Sequence, residues 1–161
     1  MTSITASSIG LLEGKVIFIS GASRGIGAAA ARLFAREGAA VVAGARSADA
    51  LAAVVDSIRA AGGIADSVPF DLADDASIRA AIARVGDLHG RLDGAFNNGA
   101  VVQQGAGRLD TTTDDDIQQQ FHVNFRAHWI AMNAEAGLMR GSGGGAIVNT
   151  SSIGARRANP D

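Results

Sequence analysis

Short, β-branched apolar runs alternate along this chain with longer stretches whose apolar positions return every three or four residues. The first run, Lys15 to Ile19, has the composition of a buried strand. Ser20-Gly21-Ala22-Ser23-Arg24-Gly25-Ile26-Gly27 follows it, and then Ala28 to Glu37, made almost wholly of good helix formers. Ala39 to Ala45 reads as a second buried strand. Ser47 is placed to cap a helix from Ala48 to Ala61, which Gly62-Gly63 ends. Ile64 to Phe70 predicts a third strand, leading to Asp71-Leu72. Asp74 then caps a helix reaching about Leu88, with Ile78, Ile82 and Val85 on one face. Leu92 to Phe96 is a short fourth strand running into Asn97-Asn98-Gly99-Ala100, and a glycine-bearing loop covers Val101 to Thr112. Thr113 opens the longest helix, with Asp114, Asp115 and Asp116 in a first turn where the dipole favours negative charge. Ile117, Phe121, Phe125, His128 and Met132 read as its inward stripe. Gly141 to Gly145 breaks that helix, and a fifth strand, Ala146 to Thr150, delivers Ser151-Ser152.

Strands alternating with helices predict one α/β domain around a parallel sheet, with right-handed crossovers placing helices on both faces. Residues 1–12 read as a flexible lead-in and residues 13–161 as the domain, long enough to bury one core. A net charge of −2 gives no electrostatic case for nucleic acid or an acidic membrane surface as partner. No apolar run reaches membrane-spanning length, and the expected location is the cytoplasm. The chain has no cysteine, so disulfides and thiol chemistry are excluded. His89, His122 and His128 show no metal-binding spacing, and no metal is expected. Two further features of composition bear on chemistry: there is no tyrosine, and the only lysine is Lys15.

A strand that turns through Gly21, Gly25 and Gly27 straight into a helix is built to hold a phosphate. The glycines permit a tight turn and close backbone approach, and the first helical N–H groups carry partial positive charge. A plain strand-to-helix turn is the alternative reading. Asp71 is open to a second reading as a cap or turn carboxylate, and Arg24 and Arg46 to one as solvated surface charges. Asn124, on the expected inward side of the longest helix, is expected to be buried with its amide bonded to backbone or water. An ordinary amide bonded to neighbouring backbone is the plainer alternative.

Gly21 to Gly27, Asp71-Leu72, Asn97-Asn98, Val123-Asn124 and Ile147-Val148-Asn149-Thr150-Ser151-Ser152 occur in one order on the expected elements. Together they resemble the short-chain dehydrogenase/reductase family, from Glu13 to about Pro160. The resemblance implies an NAD(P)-dependent oxidoreductase of alcohols and ketones. It also implies a Rossmann-type, doubly wound parallel sheet of order 3-2-1-4-5, here without the family's C-terminal strands and helices. Gly21, Gly25 and Gly27 would let the pyrophosphate sit on the helix end, with Ser23, Arg24 and Ile26 of the same loop in the cofactor-binding set; Asp71 would accept from the adenine amino group, and Leu72 would add a backbone contact. Asn98 joins the cofactor-binding set. The family's NAD-selecting aspartate falls at Ala45, followed by Arg46, so Arg24 and Arg46 favour NADP(H) over NAD(H). Asn124 corresponds to the asparagine that holds a water of the proton relay, and Ser152, rather than Ser151, to the substrate-orienting serine.

Two departures follow. The family's Asn-Asn-Ala-Gly is Asn97-Asn98-Gly99-Ala100 here, which puts a methyl close to where the nicotinamide ribose would pass. The family's general-acid tyrosine lies about thirteen residues after the serine, with a lysine four further on, and neither has a counterpart in the 161 residues. The expectation is therefore the N-terminal portion of a reductase, inactive alone and with an unpaired sheet edge beyond the fifth strand. A catalytically silent dinucleotide-binding module and a fragment that does not fold alone are the alternatives. A complete chain would act on a small alcohol or ketone as a homo-oligomer.

Overall fold

A computed structural model describes residues 10–101 and 109–156. In chain order the elements are β1 (Val16–Ser20), α1 (Gly25–Arg36), β2 (Ala40–Ala45), α2 (Ala48–Ala60), β3 (Ile64–Pro69) and α3 (Asp75–His89). There follow β4 (Gly94–Asn97), α4 (Asp114–Phe121), a π-helical turn at His122–Arg126, α5 (Ala127–Gly141) and β5 (Ala146–Asn149). Short 3-10 turns lie at Leu109–Thr111 and Ile153–Ala155.

The strands form one parallel sheet in the order β3-β2-β1-β4-β5, as expected. Period-two alternation along β1 divides the core in two. Val16 and Phe18 face Ile78, Ile82 and Val85 of α3 and Ile130 of α5, whereas Ile17 and Ile19 face Ala28 and Ala31 of α1 and Leu51, Val55 and Ile58 of α2. Each of the valine, isoleucine, leucine and phenylalanine side chains, once fully buried, contributes about 1.5–3 kcal/mol. Gly44 of β2 is required by this packing, since a Cβ there would lie 2.9 Å from the Phe18 ring. The sheet edges differ from its centre. β3 is buried only at Ala65 and Val68 and ends at Pro69, and among the described residues β5 pairs with β4 alone and is largely exposed, with Val148 58% accessible.

The caps follow the expectation in two cases out of three. Asp74 accepts from the Ala76 amide, and Thr113 forms a capping box with Asp116. Ser47 stands at the expected N-cap of α2, but its side chain makes no capping bond. Residues 10–12, expected to be part of the flexible lead-in, instead dock on the end of α1. Leu12 N donates to Glu37 O, Leu11 N donates to Glu37 Oε2, and a Cβ at Gly10 would lie 2.2 Å from Glu37 O. Residues 1–9 of that lead-in and 102–108 of the expected loop lie outside the described residues.

The inward stripe of the long helix is a correction. Ile117, Phe121 and Phe125 are 58%, 58% and 63% exposed, and Trp129 joins them on the outer face. His128 and Met132 are half-buried. The buried row is Val123, Ala127, Ala131, Glu135 and Met139, with Ile130 beside it. Small residues in this row let α5 lie close to the sheet and α3, which bulky aromatic side chains would prevent.

Candidate active site

The carboxyl ends of β1, β4 and β5 meet at one place, where Ser20 pairs with Asn97 and Asn97 with Asn149. Ser20, fully buried, accepts from the backbone N–H groups of both Asn98 (3.1 Å) and Gly99 (3.2 Å). This hydroxyl ties the loop after β4 to the glycine turn after β1. The contact is tight enough to require glycine on both sides. A Cβ at Gly21 (φ +68°) would lie 2.8 Å from Gly99 Cα, and one at Gly27 would lie 2.3 Å from Gly21 O. Asn98 is half-buried beside both glycines and its Oδ1 accepts from Thr150 Oγ1 at 3.4 Å, so it spans from the turn to β5.

α1 begins inside this cradle. Its N-cap, Arg24, supplies no side-chain bond, and no acidic residue stands in its first turn, unlike α3 and α4. The first amides of α1 therefore face outward with the positive end of the helix dipole behind them. Gly25 (φ +56°) presents open space where a Cβ would stand, and Ile26 is 67% exposed beside it. Ser23 is half-buried, and Arg24 and Arg46 are exposed. Among the described residues neither arginine makes an ion pair or a hydrogen bond. A phosphate-bearing dinucleotide fits these residues: backbone amides, two unpaired guanidinium groups and a glycine cradle.

The remaining expected residues fall around this centre. Asp71 follows β3, and its Oδ1 accepts from the Ala73 amide, so it does serve as a turn carboxylate. Leu72 is buried, and its Cδ1 would lie 2.9 Å from a Cβ on Gly99. The inverted Gly99-Ala100 pair thus leaves Gly99 against Leu72 and Gly21, with Ala100 exposed. Asn124 is exposed, contrary to the expected burial, because the π turn carries it to the surface side of the helix. Its amide is nevertheless engaged: Oδ1 accepts from Val101 N, and Nδ2 donates to Val101 O, both at 2.9 Å, and to Gln120 Oε1 at 2.7 Å, which leaves one lone pair of Oδ1 to hold a water. Ser152 is exposed after β5, and its Oγ accepts from the Gly154 amide at 3.1 Å, which leaves its O–H to donate. No hydrogen bond links Asn124 to Ser152 among the described residues.

Three participants escaped the reading of the sequence. Ser20 is one, and the π turn is another, a rare geometry that gathers at functional sites. Arg126 in that turn forks onto Asp75 at 2.7 and 2.6 Å and fixes the turn to the start of α3. The bond from Arg126 holds the Asp75 carboxyl below its usual range. Burial holds the half-buried His128 ring below the imidazole range, against a bond to the Gly99 backbone that favours its charged form. The third is Glu135, whose i+4 spacing from Ala131 was its only signal. It is fully buried, as is Asn97, whose Nδ2 donates to Glu135 Oε2 (3.0 Å) and to Asn149 Oδ1 (3.1 Å).

A parallel sheet of this order, with a glycine turn feeding an uncapped helix at its carboxyl edge, defines a Rossmann-type fold. The family model of the short-chain dehydrogenases matches residues 15–161, and the chain belongs to that family. An A-factor type gamma-butyrolactone 1'-reductase of Streptomyces virginiae is 43% identical over 157 residues, covering 94% of this chain and 59% of that protein. A short chain dehydrogenase from Burkholderia cenocepacia, solved in complex with NADP, superposes with a TM-score of 0.84 at 40% identity, over 93% of this chain and 60% of its own. A metagenomic short-chain oxidoreductase, also solved with NADP, gives a TM-score of 0.85 at 38% identity, over 92% of this chain and 66% of its own. The chain thus spans little more than half the length of the curated relatives it matches. Among the described residues no helix is long and apolar enough to cross a membrane, and no cluster of side chains suits a metal ion.

Proposed function

We propose that this chain is the cofactor-holding part of an oxidoreductase that transfers hydride between NADP(H) and a small alcohol or ketone. The observation that carries this reading is the uncapped start of α1, seated on Gly21 and Gly27, with Arg24 and Arg46 exposed and unpaired beside it. In this reading the pyrophosphate rests on the amides of Gly25, Ile26 and Gly27, with Ser23 at the turn. Arg24 and Arg46 take a 2′-phosphate, because Ala45 offers no carboxylate to repel it. Asp71 and Leu72 face the adenine, and Asn98 the nicotinamide side. The NADP found in two solved relatives supports the class of cofactor.

Bound there, the cofactor supplies the hydride. Reduction of a ketone adds that hydride to the carbonyl carbon and a proton to the oxygen, giving the alcohol. The Ser152 O–H donates a hydrogen bond to the reacting oxygen, and Asn124 acts on the proton side through a water. Neither is an adequate acid near neutral pH. The 161 residues contain no tyrosine, and Lys15 stands at the opposite end of β1, where it pairs with Asp93. By itself the chain binds dinucleotide and turns over no ketone. The complete protein is read as a cytoplasmic homo-oligomer, and the exposed row Ile117, Phe121, Phe125 and Trp129, with its two phenylalanines stacked at 5.1 Å, supports contact with a second copy.

Fluorescence titration of the 161-residue chain with NADPH and NADH tests the reading. NADPH binds more tightly, and Arg46→Asp narrows or reverses the preference, since a charge-assisted bond contributes about 1.5–3 kcal/mol. Equal affinities for the two cofactors would refute the roles of Arg24 and Arg46. Binding of neither would refute the cofactor site itself.

A further inference from the structure

Beneath the candidate cofactor loop, Glu135 of α5 and Asn97 at the end of β4 are both 0% exposed. One bond joins them, Asn97 Nδ2 to Glu135 Oε2. Their other oxygens, Asn97 Oδ1 and Glu135 Oε1, are buried and have no partner. With Glu135 ionised both of these atoms are acceptors, and leaving a buried acceptor without a donor is costly. A single proton on Oε1, donated to Asn97 Oδ1, would satisfy both.

We propose that Glu135 is a positioning residue that works as the neutral acid. Its Oε1–H donates to Asn97 Oδ1 and closes a two-bond acid–amide pair that clamps the ends of β4 and β5 under the cofactor-facing loop. The clamp reaches the site by two routes. Asn97 runs directly into Asn98-Gly99, whose amides Ser20 holds, and Asn97 Nδ2 also bonds Asn149, which precedes Thr150-Ser151-Ser152.

Among the described residues no cation stabilises the ionised form. From α3, the helix packed on α5, the charged groups are Asp75, Arg79, Arg84, Asp87 and His89. Asp75 is taken by Arg126, Arg84 by Asp87 and His89 by Asp66, and Arg79 acts on Asp75. β4 and β5 bring only the amides of Asn97 and Asn149, and His128 and Arg140 of α5 make no bond to Glu135. Burial accordingly pushes the Glu135 carboxyl from 4.5 up to about 7, against the opposing pull of the Asn97 amide. Below that pH the clamp is closed, and above it Glu135 loses the proton and Asn97 Oδ1 its donor.

The consequence for binding rests on the cofactor reading above. At pH 8 a group titrating at about 7 is neutral in about one molecule in ten, so NADPH should bind about tenfold more weakly than at pH 6. Glu135→Gln keeps both bonds, because its amide donates to Asn97 Oδ1 as the acid did, but it cannot titrate. Glu135→Ala removes the clamp at every pH.

Two measurements on the 161-residue chain test this. Infrared difference spectra of wild type against Glu135→Gln should show the carbonyl band of a buried neutral acid at pH 6 that disappears as pH rises through 7. NADPH titrations should show wild type weakening about tenfold relative to Glu135→Gln between pH 6 and pH 8, and weak binding throughout in Glu135→Ala. Comparison with Glu135→Gln cancels any titration of the cofactor itself. A missing acid band at pH 6, or identical pH profiles for wild type and Glu135→Gln, would overturn the clamp. If no variant bound NADPH, the cofactor reading would fall, and the infrared titration alone would still uphold or overturn the acid–amide pair.

Discussion

Replacing Gly27 by alanine sets two effects of opposite sign against each other. Alanine is better than glycine inside a helix by about 0.8–1.0 kcal/mol, so propensity alone predicts a more stable protein. The structure opposes this, because the new Cβ would stand 2.3 Å from Gly21 O, 2.8 Å from Gly21 C and 3.0 Å from Asn98 Nδ2. The first two are backbone atoms of a turn that is itself packed on Gly99, so neither can swing aside as a side-chain tip would. Relief requires the start of α1 to move by about 1 Å, and overpacking of this kind typically costs about 1–3 kcal/mol. The clash wins, and Gly27→Ala should lose on the order of 1 kcal/mol net. NADPH affinity should fall by at least about tenfold, because the displaced amides are those assigned to the pyrophosphate. Gly25→Ala is the control: its Cβ meets nothing, so only the cost of φ +56°, about 1 kcal/mol, applies. Urea denaturation followed by circular dichroism gives the stabilities, and cofactor fluorescence gives the affinities. A Gly27→Ala protein as stable as wild type, with unchanged NADPH affinity, would refute both the contact and the role of α1.

Two further outcomes follow from the geometry. Asp93 is an acceptor for the Val16 amide at the foot of β1 and pairs with Arg91 and Lys15, so Asp93→Ala should cost about 1–3 kcal/mol in urea denaturation. Burial alone would raise the Asp93 carboxyl, but Arg91, the Val16 amide and Lys15 outweigh it and hold it below its ordinary 3.8. Its contribution is therefore present above pH 3.8 and is lost as pH falls through the lowered value; a wild-type advantage over Asp93→Ala that persists unchanged in stronger acid would count against the ion cluster. The 161-residue chain should oxidise no NADPH in the presence of a panel of ketones, read by cofactor absorbance. Turnover that Ser152→Ala abolishes would show that a group other than the family's tyrosine delivers the proton.

Local signals in the sequence were enough for most of the framework. The runs at Val16–Ser20 and Ala40–Ala45, the helix former-rich stretch after Gly27, and the caps at Asp74 and Thr113 each depend on neighbours a few residues away. The glycine turn was equally legible, because a tight turn into a helix start is a local demand on the backbone. The face of α4 and α5 was not. That stretch carries two apolar rows, one through Phe121, Phe125 and Trp129 and one through Val123, Ala127 and Ala131, and hydrophobicity alone favours the aromatic row. The sheet and α3 leave room for Ala127 and Ala131 but not for aromatic rings at those positions, so tertiary packing turned the aromatic row outward and buried Glu135 with the other. The same rotation, with the π turn, carried Asn124 to the surface against Val101. The partners of Ser20, Asn97 and Glu135 are set by contacts between residues 38 to 79 positions apart. Such contacts leave no periodic mark in the chain, because the volume and polarity that a side chain meets belong to the elements folded against it.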